Sequence, residues 1–303
     1  MCAIFPLGRK DNVLGDNKGY VERLDFSKAN LNDDNRLLAI TSIASICYNN
    51  PKAIGKQSLY DRLTSENGGL PSSAFEFVPV LLEAEMYRNE VLPNIPFNVD
   101  NNLTKFGEWV EDGTYLLTNY RAIYYMKEKG LVDLVKFYNT EAEALIISRH
   151  FHVFKMYIDF PTRSQLVRHR VSFQELSRRY VNGDRVEFEF LHTDKLKKIN
   201  SIFKPTTEVY GKTIATPHED NVPTYSISTD EIFGLCVNHY KQAIEDGVKP
   251  EEARRIIPQA GYTTIYTAMM PTQLANFFKL RSDEHAQKEI RQLSRAMEEL
   301  MLL

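Results

Sequence analysis

Three cysteines in 303 residues leave little material for a disulfide framework or a thiolate metal site. Cys2, Cys47 and Cys236 lie far apart and form no C-x-x-C pair, a usage that fits a reducing compartment. Long apolar runs are missing as well. No stretch approaches the roughly 18 apolar residues of a membrane span, and the opening MCAIFPLGRKD is too weakly apolar for a secretory signal. The expectation is a cytoplasmic protein with no membrane partner. A positive excess is also absent: 37 Lys and Arg stand against 40 Asp and Glu, for a net charge of -3. That balance argues against wholesale binding to nucleic acid. Neither an internal repeat nor a low-complexity tail is present.

What remains is ordinary globular composition, 43% apolar and 25% charged, enough for a sizeable core. Residues 36–48 (RLLAITSIASICY) are apolar nearly all round and predict a buried helix, with Cys47 as a small core residue. Phe75 to Ala84 has strand composition, and Pro79 inside it predicts an edge or a bulge. Thr118 or Asn119 can cap a helix through Lys129 that stops at Gly130, and Glu141 to Ser148 also reads as helix.

From His150 to Phe160 the even positions form a period-2 apolar face, predicting a half-buried strand that places His150 and His152 on one side. No acidic or thiol partner at ligand spacing accompanies these two histidines, so no metal is assigned. Val186, Phe188 and Phe190 predict a second short strand, and residues 203–228 an irregular loop. Helical spacing returns from Ile232 to Gly247 and again at Pro250, whose fixed φ suits a first helical position. Gly261 to Met270 is expected to be extended and Pro271 to Arg281 helical. Ala286, Ile290, Leu293, Met297 and Leu300 mark a final amphipathic helix. The sum is an α+β chain, residues 1–303 read as one domain.

One stretch concentrates charge: Pro161 to Tyr180, PTRSQLVRHRVSFQELSRRY, carries five arginines among apolar residues. Guanidinium groups present planar forks of donors matched to phosphate or carboxylate. On composition alone, a solvated helix face with Glu175 and Arg179 as an i,i+4 pair explains the charge equally well.

The order of residues goes further. Arg168-His169-Arg170, then Ser172, Glu175, Ser177, Arg179 and Tyr180, resembles the signature of the flavin-dependent thymidylate synthases, with Gln165 three residues upstream as in that family. Ala253-Arg254 with Pro258 is similar to a second family segment. Asn276-Phe277 through Arg281, Asp283, His285, Ala286 and Gln287 is similar to a third. Three separated matches in the right order are far more specific than any one alone. There are departures: the spacer Val171 to Leu176 is one residue shorter than in the family, and Gln174 and Met270 stand where asparagines are usual. The stretch from Pro71 to Phe77 echoes a family element without its histidines.

The resemblance implies a small, mostly antiparallel sheet packed with several helices, and makes residues 84–149 a helical insertion. It implies FAD as cofactor, dUMP as substrate, methylenetetrahydrofolate and NAD(P)H as co-substrates, and a homotetramer with sites assembled between subunits. By the same resemblance dUMP would be held by Gln165, Arg168, Glu175, Leu176, Ser177, Arg178, Arg179 and Arg254. Arg281 would be catalytic, stabilising an ionised N3/O4 system of the uracil. FAD would meet Ser73, Arg168, His169, Arg170, Glu175, Asn276 and His285. Two alternatives stay open: a pyrimidine-nucleotide enzyme with another C5 outcome, such as hydroxymethylation, and a non-catalytic nucleotide- or RNA-binding protein.

Overall fold

The computed structural model describes residues 7–12, 19–24, 33–65, 72–91, 107–128, 140–181, 186–191, 196–203, 207–209, 212–214 and 225–302. Cys2 and Gly130, the expected helix stop, lie outside them. In chain order the elements are β1 (Leu7–Asn12), β2 (Tyr20–Leu24), α1 (Asp33–Tyr48), α2 (Gln57–Ser65), β3 (Pro79–Glu83), β4 (Glu108–Val110), β5 (Tyr115–Asn119), α3 (Tyr120–Glu128), α4 (Glu141–His150), β6 (His152–Asp159), α5 (Phe160–Leu166) and β7 (Ser172–Glu175). After these come β8 (Asn200–Phe203), β9 (Thr207–Val209), β10 (Lys212–Ile214), β11 (Tyr225–Ser228), α6 (Thr229–Glu245), α7 (Pro250–Ala253), β12 (Tyr262–Met269), α8 (Pro271–Arg281) and α9 (Lys288–Met301).

The main sheet has the order β1-β2-β6-β12-β7, antiparallel throughout. Because side chains alternate across a strand, β6 serves two cores. Phe154, Met156 and Ile158 join Val21, Ile265, Leu274, Phe277, Ile290, Leu293 and Met297 beneath α8 and α9. Val153 and Ala268, on the other face, join a second core built from α1, α2, β3 and β5. The apolar spacing of α9 therefore lands on the sheet, and the nearly all-round apolar α1 is buried as its sequence requires.

Local signals account for the helix starts. Thr140 and Glu143 form a reciprocal capping box on α4, as do Ser228 and Glu231 on α6. Asn119 Oδ1 accepts from the Ala122 N–H at the start of α3. Pro79 opens β3, an edge strand of the sheet β3-β5-β4, where its missing N–H is tolerated.

Several expectations need correction. His150 and His152 do not share a strand face: His150 closes α4 with Nε2 2.8 Å from Glu111 Oε1, whereas His152 opens β6 and is buried, Nδ1 lying 3.4 Å from Arg23 Nη2. Residues 203–228 are not wholly irregular, since β9 pairs with β10 and β11 with β8. The strand expected at Val186 to Phe190 reduces to a single bridge between Phe190 and Gly261. Within residues 84–149, besides the helices read there, the chain forms the antiparallel pair β4–β5. Among the described residues no helix is long and apolar enough to cross a membrane. Nor do the described residues hold a cluster of three or more His, Cys, Asp or Glu fit for a metal ion.

Candidate active site

The arginine-rich stretch folds as helix α5, a turn, and the edge strand β7. Strand β7 pairs with β12 through Glu175↔Ile265 and Gln174↔Tyr266, and the ladder ends where the Leu176 N–H donates to Thr264 O at 3.0 Å. From there α1 takes over the chain, with Cys47 O accepting from the Ser177 N–H at 3.1 Å. Ser177 then starts a turn, its Oγ accepting from the Arg179 N–H at 3.3 Å and its carbonyl from the Tyr180 and Val181 N–H groups.

This segment forms one wall of a cleft of about 640 Å³, lined by Glu175, Leu176, Ser177, Arg178, Arg254 and Arg255, with Arg163 and Ser164 from α5 and Cys47 from α1. Beside the cleft residue Phe160, Gly261 is packed so tightly that a Cβ there would meet Pro258 O at 3.1 Å and the Phe160 ring at 3.2 Å. At the rim, Arg254 and Arg255 also line a second cavity of about 380 Å³ with Arg179, Glu251 and Glu252. Arg179 sits 3.6 Å from the Glu251 carboxylate, and Arg254 Nε donates to Glu251 O at 3.2 Å.

The cleft arginines differ in what they have left to offer. Arg163 donates through Nε and Nη2 to Glu175 Oε2 at 3.0 and 2.6 Å, while Thr263 Oγ1 donates to Glu175 Oε1. That carboxylate is thus engaged within the chain. Arg178 is buried, 8% exposed, with Nη1 donating to Val186 O at 3.1 Å and its guanidinium 4.4 Å from the Phe188 ring; burial lowers its pKa. Arg254 and Arg255 are exposed.

A second group forms where α5 ends. Arg281, at the end of α8, donates through Nε to His169 Nε2 at 2.9 Å and through Nη2 to Gln165 O at 3.1 Å; Nη1 lies 3.5 Å from Gln165 Oε1. Burial, and then the Arg281 charge, lower the His169 pKa, keeping it the neutral acceptor this geometry requires. Among the described residues Arg281 has no carboxylate partner. Its positive charge is held only by neutral groups, with burial and then nearby Arg168 lowering its pKa.

The remaining site candidates scatter. Arg170 lines a third cavity of about 400 Å³ with Ser172, Phe151, Val171, Met270 and Gln273; Glu76, paired with Arg121, is also there. Ser73 Oγ donates to Gln174 Oε1 at 2.9 Å. Asn276 is exposed on α8, and exposed His285 bonds Asp283, which lowers the Asp283 pKa.

So Glu175, Leu176, Ser177, Arg178 and Arg254 come together in one cleft. Gln165, His169 and Arg281 meet elsewhere in the chain. Sequence reasoning missed Arg163, Ser164 and Arg255 as cleft residues, although Arg163 belonged to the arginine-rich stretch and Arg255 follows Arg254 directly. It also placed Cys47 in the core, whereas the thiol edges the cleft.

Comparison with known proteins adds one decisive match: the family model described as thymidylate synthase complementing protein aligns with residues 146–302. The chain belongs to this family. The matched span takes in the cleft segment, Arg254 and Arg281, but not α1 or β3 to β5. A flavin-dependent thymidylate synthase of Pyrococcus furiosus is 34% identical over 140 residues, 45% of this chain and 48% of that protein. One from Aquifex aeolicus is 29% identical over 210 residues, 64% of this chain and 59% of that protein. The chain thus spans about half the length of the curated relatives it matches. Among solved structures, a UMP/dUMP methylase PolB from Streptomyces cacaoi bound with 5-Br dUMP shares 22% identity at a TM-score of 0.35, covering 49% of this chain and 64% of that one.

Proposed function

We propose that the protein is a flavin-dependent enzyme that reductively methylates dUMP to dTMP, with methylenetetrahydrofolate as carbon donor and NAD(P)H as reductant. The observation that carries this reading is Arg281, a guanidinium with no carboxylate partner among the described residues, held by Gln165 and neutral His169. Uracil C5 is a weak nucleophile until the ring gains electron density, and an uncompensated positive charge beside N3/O4 stabilises the ionised ring. The alternative activation, thiolate attack at C6, finds little support in Cys47, whose pKa burial raises.

The cleft suits a nucleotide phosphate. Ser177, Arg254 and Arg255 line it, with Arg178 buried in its wall and Arg179 at the rim. The Leu176 and Ser177 N–H groups already have main-chain acceptors, so on this reading the phosphate is held mainly by side chains. Support for a flavin comes from the donor set. Exposed Arg168 and Arg170 suit the diphosphate of FAD, and the cavity beside Arg170 has apolar walls from Phe151, Val171 and Met270 that suit a flat ring. Bound and reduced, the flavin would supply the hydride.

Within one chain the cleft and the Arg281 group are separate sets of residues. Arg163 and Ser164 line the cleft, yet Gln165, the next residue, bonds Arg281. A site drawing on both sets is most simply completed by a neighbouring copy; the homotetramer that we propose with it is what the family resemblance implies, and the reducing cytoplasm is the setting we propose for it.

Incubation with dUMP, methylenetetrahydrofolate, FAD and NADPH, followed by mass analysis of the nucleotide, tests the reading. A gain of one methyl group is expected. A hydroxymethyl product would move the protein to a different C5 chemistry, and an unchanged nucleotide together with a colourless protein would leave a non-catalytic binder.

A further inference from the structure

The turn that presents Ser177, Arg178 and Arg179 follows the point at which β7 leaves β12, and among the described residues no main-chain hydrogen bond from the main sheet reaches it. Its anchor is α1. Cys47 reaches the segment twice: its carbonyl accepts from the Ser177 N–H at 3.1 Å, and its thiol donates to Glu175 O at 3.1 Å. The sulfur is fixed in turn by Gln174 Nε2, which donates to it at 2.8 Å, while Gln174 Oε1 accepts from Ser73 Oγ at 2.9 Å. Every donor in this chain points the same way, from Ser73 through Gln174 and Cys47 to the Glu175 carbonyl. Such an aligned series polarises each member in a low-dielectric setting. Gln174 is 8% exposed, so an unmade hydrogen bond at its amide would be costly. Burial raises the Cys47 pKa, which keeps the sulfur protonated as the donor that the Glu175 carbonyl needs.

We propose that Cys47 and Gln174 are positioning residues that clasp the turn from Ser177 to Arg179 and thereby set the affinity of the cleft for a nucleotide phosphate. The thiol holds the last residue of β7, Glu175, and the Cys47 carbonyl holds the Ser177 N–H, the first group beyond the β12 ladder. The clasp gives a role to two residues the reaction does not use: a cleft cysteine that is not a nucleophile, and a glutamine whose amide bridges two segments distant in sequence. The functional half of this inference rests on the nucleotide reading above, while the clasp itself stands apart from it.

Two measurements on the full chain separate them. Amide hydrogen exchange across residues 175–181, without nucleotide, reads the clasp: Cys47→Ala should speed exchange there, and Cys47→Ser, which keeps a donor, should not. Titration with dUMP reads its consequence: the Kd should rise about threefold to tenfold in Cys47→Ala, as for one neutral hydrogen bond lost, and return to within about twofold of wild type in Cys47→Ser. Gln174→Leu should reproduce the Cys47→Ala result, and the double variant should be no worse than either single one, because residues in one network do not lose affinity additively. Unchanged exchange in both Cys47→Ala and Gln174→Leu would overturn the clasp. Additive losses, or equal losses in alanine and serine variants, would overturn its role in affinity. If wild type fails to bind dUMP, the nucleotide reading and the affinity role both fall, and the exchange measurement alone decides the clasp.

Discussion

Arg178 and Arg281 put the same functional group to opposite uses. The Arg178 guanidinium is buried in the cleft wall, stacked on Phe188 and tied to Val186 O, so it works as a structural member. Arg281 is held at the surface by Gln165 and His169, neutral groups that orient the charge without neutralising it. Arg163 lies between the two, with its charge cancelled by Glu175. An arginine count along the chain therefore says little about charge on offer. What matters is whether each partner is a carboxylate, a carbonyl or solvent.

The sharpest way to break the contrast is Arg178→Ala, expected to cost about 3 kcal/mol of stability as a buried charged hydrogen bond and a desolvated cation–π contact are lost together. Denaturant unfolding checks this, and a change below about 1 kcal/mol would remove Arg178 from the structural class. Next comes Arg281→Lys, which keeps the charge and loses the fork. Single-turnover oxidation of reduced flavin at saturating dUMP and folate should slow about a hundredfold, or ~2.7 kcal/mol of barrier, with the fold intact. A near-normal rate would mean that charge alone suffices there.

His152 extends the comparison to a buried imidazole beside a guanidinium. Burial, with Arg23 adding to it, pushes its pKa down to about 3. The unfolded chain therefore binds a proton below about pH 6.5 that the folded chain refuses until near pH 3, and stability falls with acid across that window by about 1.4 kcal/mol per pH unit. Thermal unfolding between pH 7 and pH 4 should show a shallower decline in His152→Gln than in wild type. The smallest effect is expected from Arg179→Ala. Its bond to Glu251 is exposed and weak, so dUMP affinity should drop about fivefold, rescued at saturation, as for a phosphate contact made equally in ground and transition states.

Much of the fold could be read from periodicity: α1, β6, β12, α8 and α9 each carry a pattern long enough to declare itself. Among the strands that escaped, β4, β7 and β8 to β11 are three or four residues long, too short to show alternation, while β1, β2 and β5, five or six residues long, escaped as well. His150 escaped for another reason, since α4 runs directly into β6 and the apolar period of the strand extended one turn too far back. At the site, the arginines were visible because their order matches a family signature. Their states were not, because Arg281 meets Gln165 and His169 across sequence separations of 116 and 112 residues. Cys47 looked like core for the same reason, as the strand it anchors lies 127 residues away at Gln174.

Strand β4 lies outside the span that the family model matches, yet its Glu108 carboxylate accepts from the Thr272 N–H at 3.0 Å and bonds the Thr272 hydroxyl at the first turn of α8. A carboxylate there complements the positive end of the helix dipole, and the far end of that helix carries Arg281. Anyone trimming the protein to its recognisable half would thus remove the acidic clamp from the lever on which the Arg281 charge is mounted. A boundary drawn at residue 146 follows ancestry, while the mechanical unit runs back through the hairpin at least to Glu108.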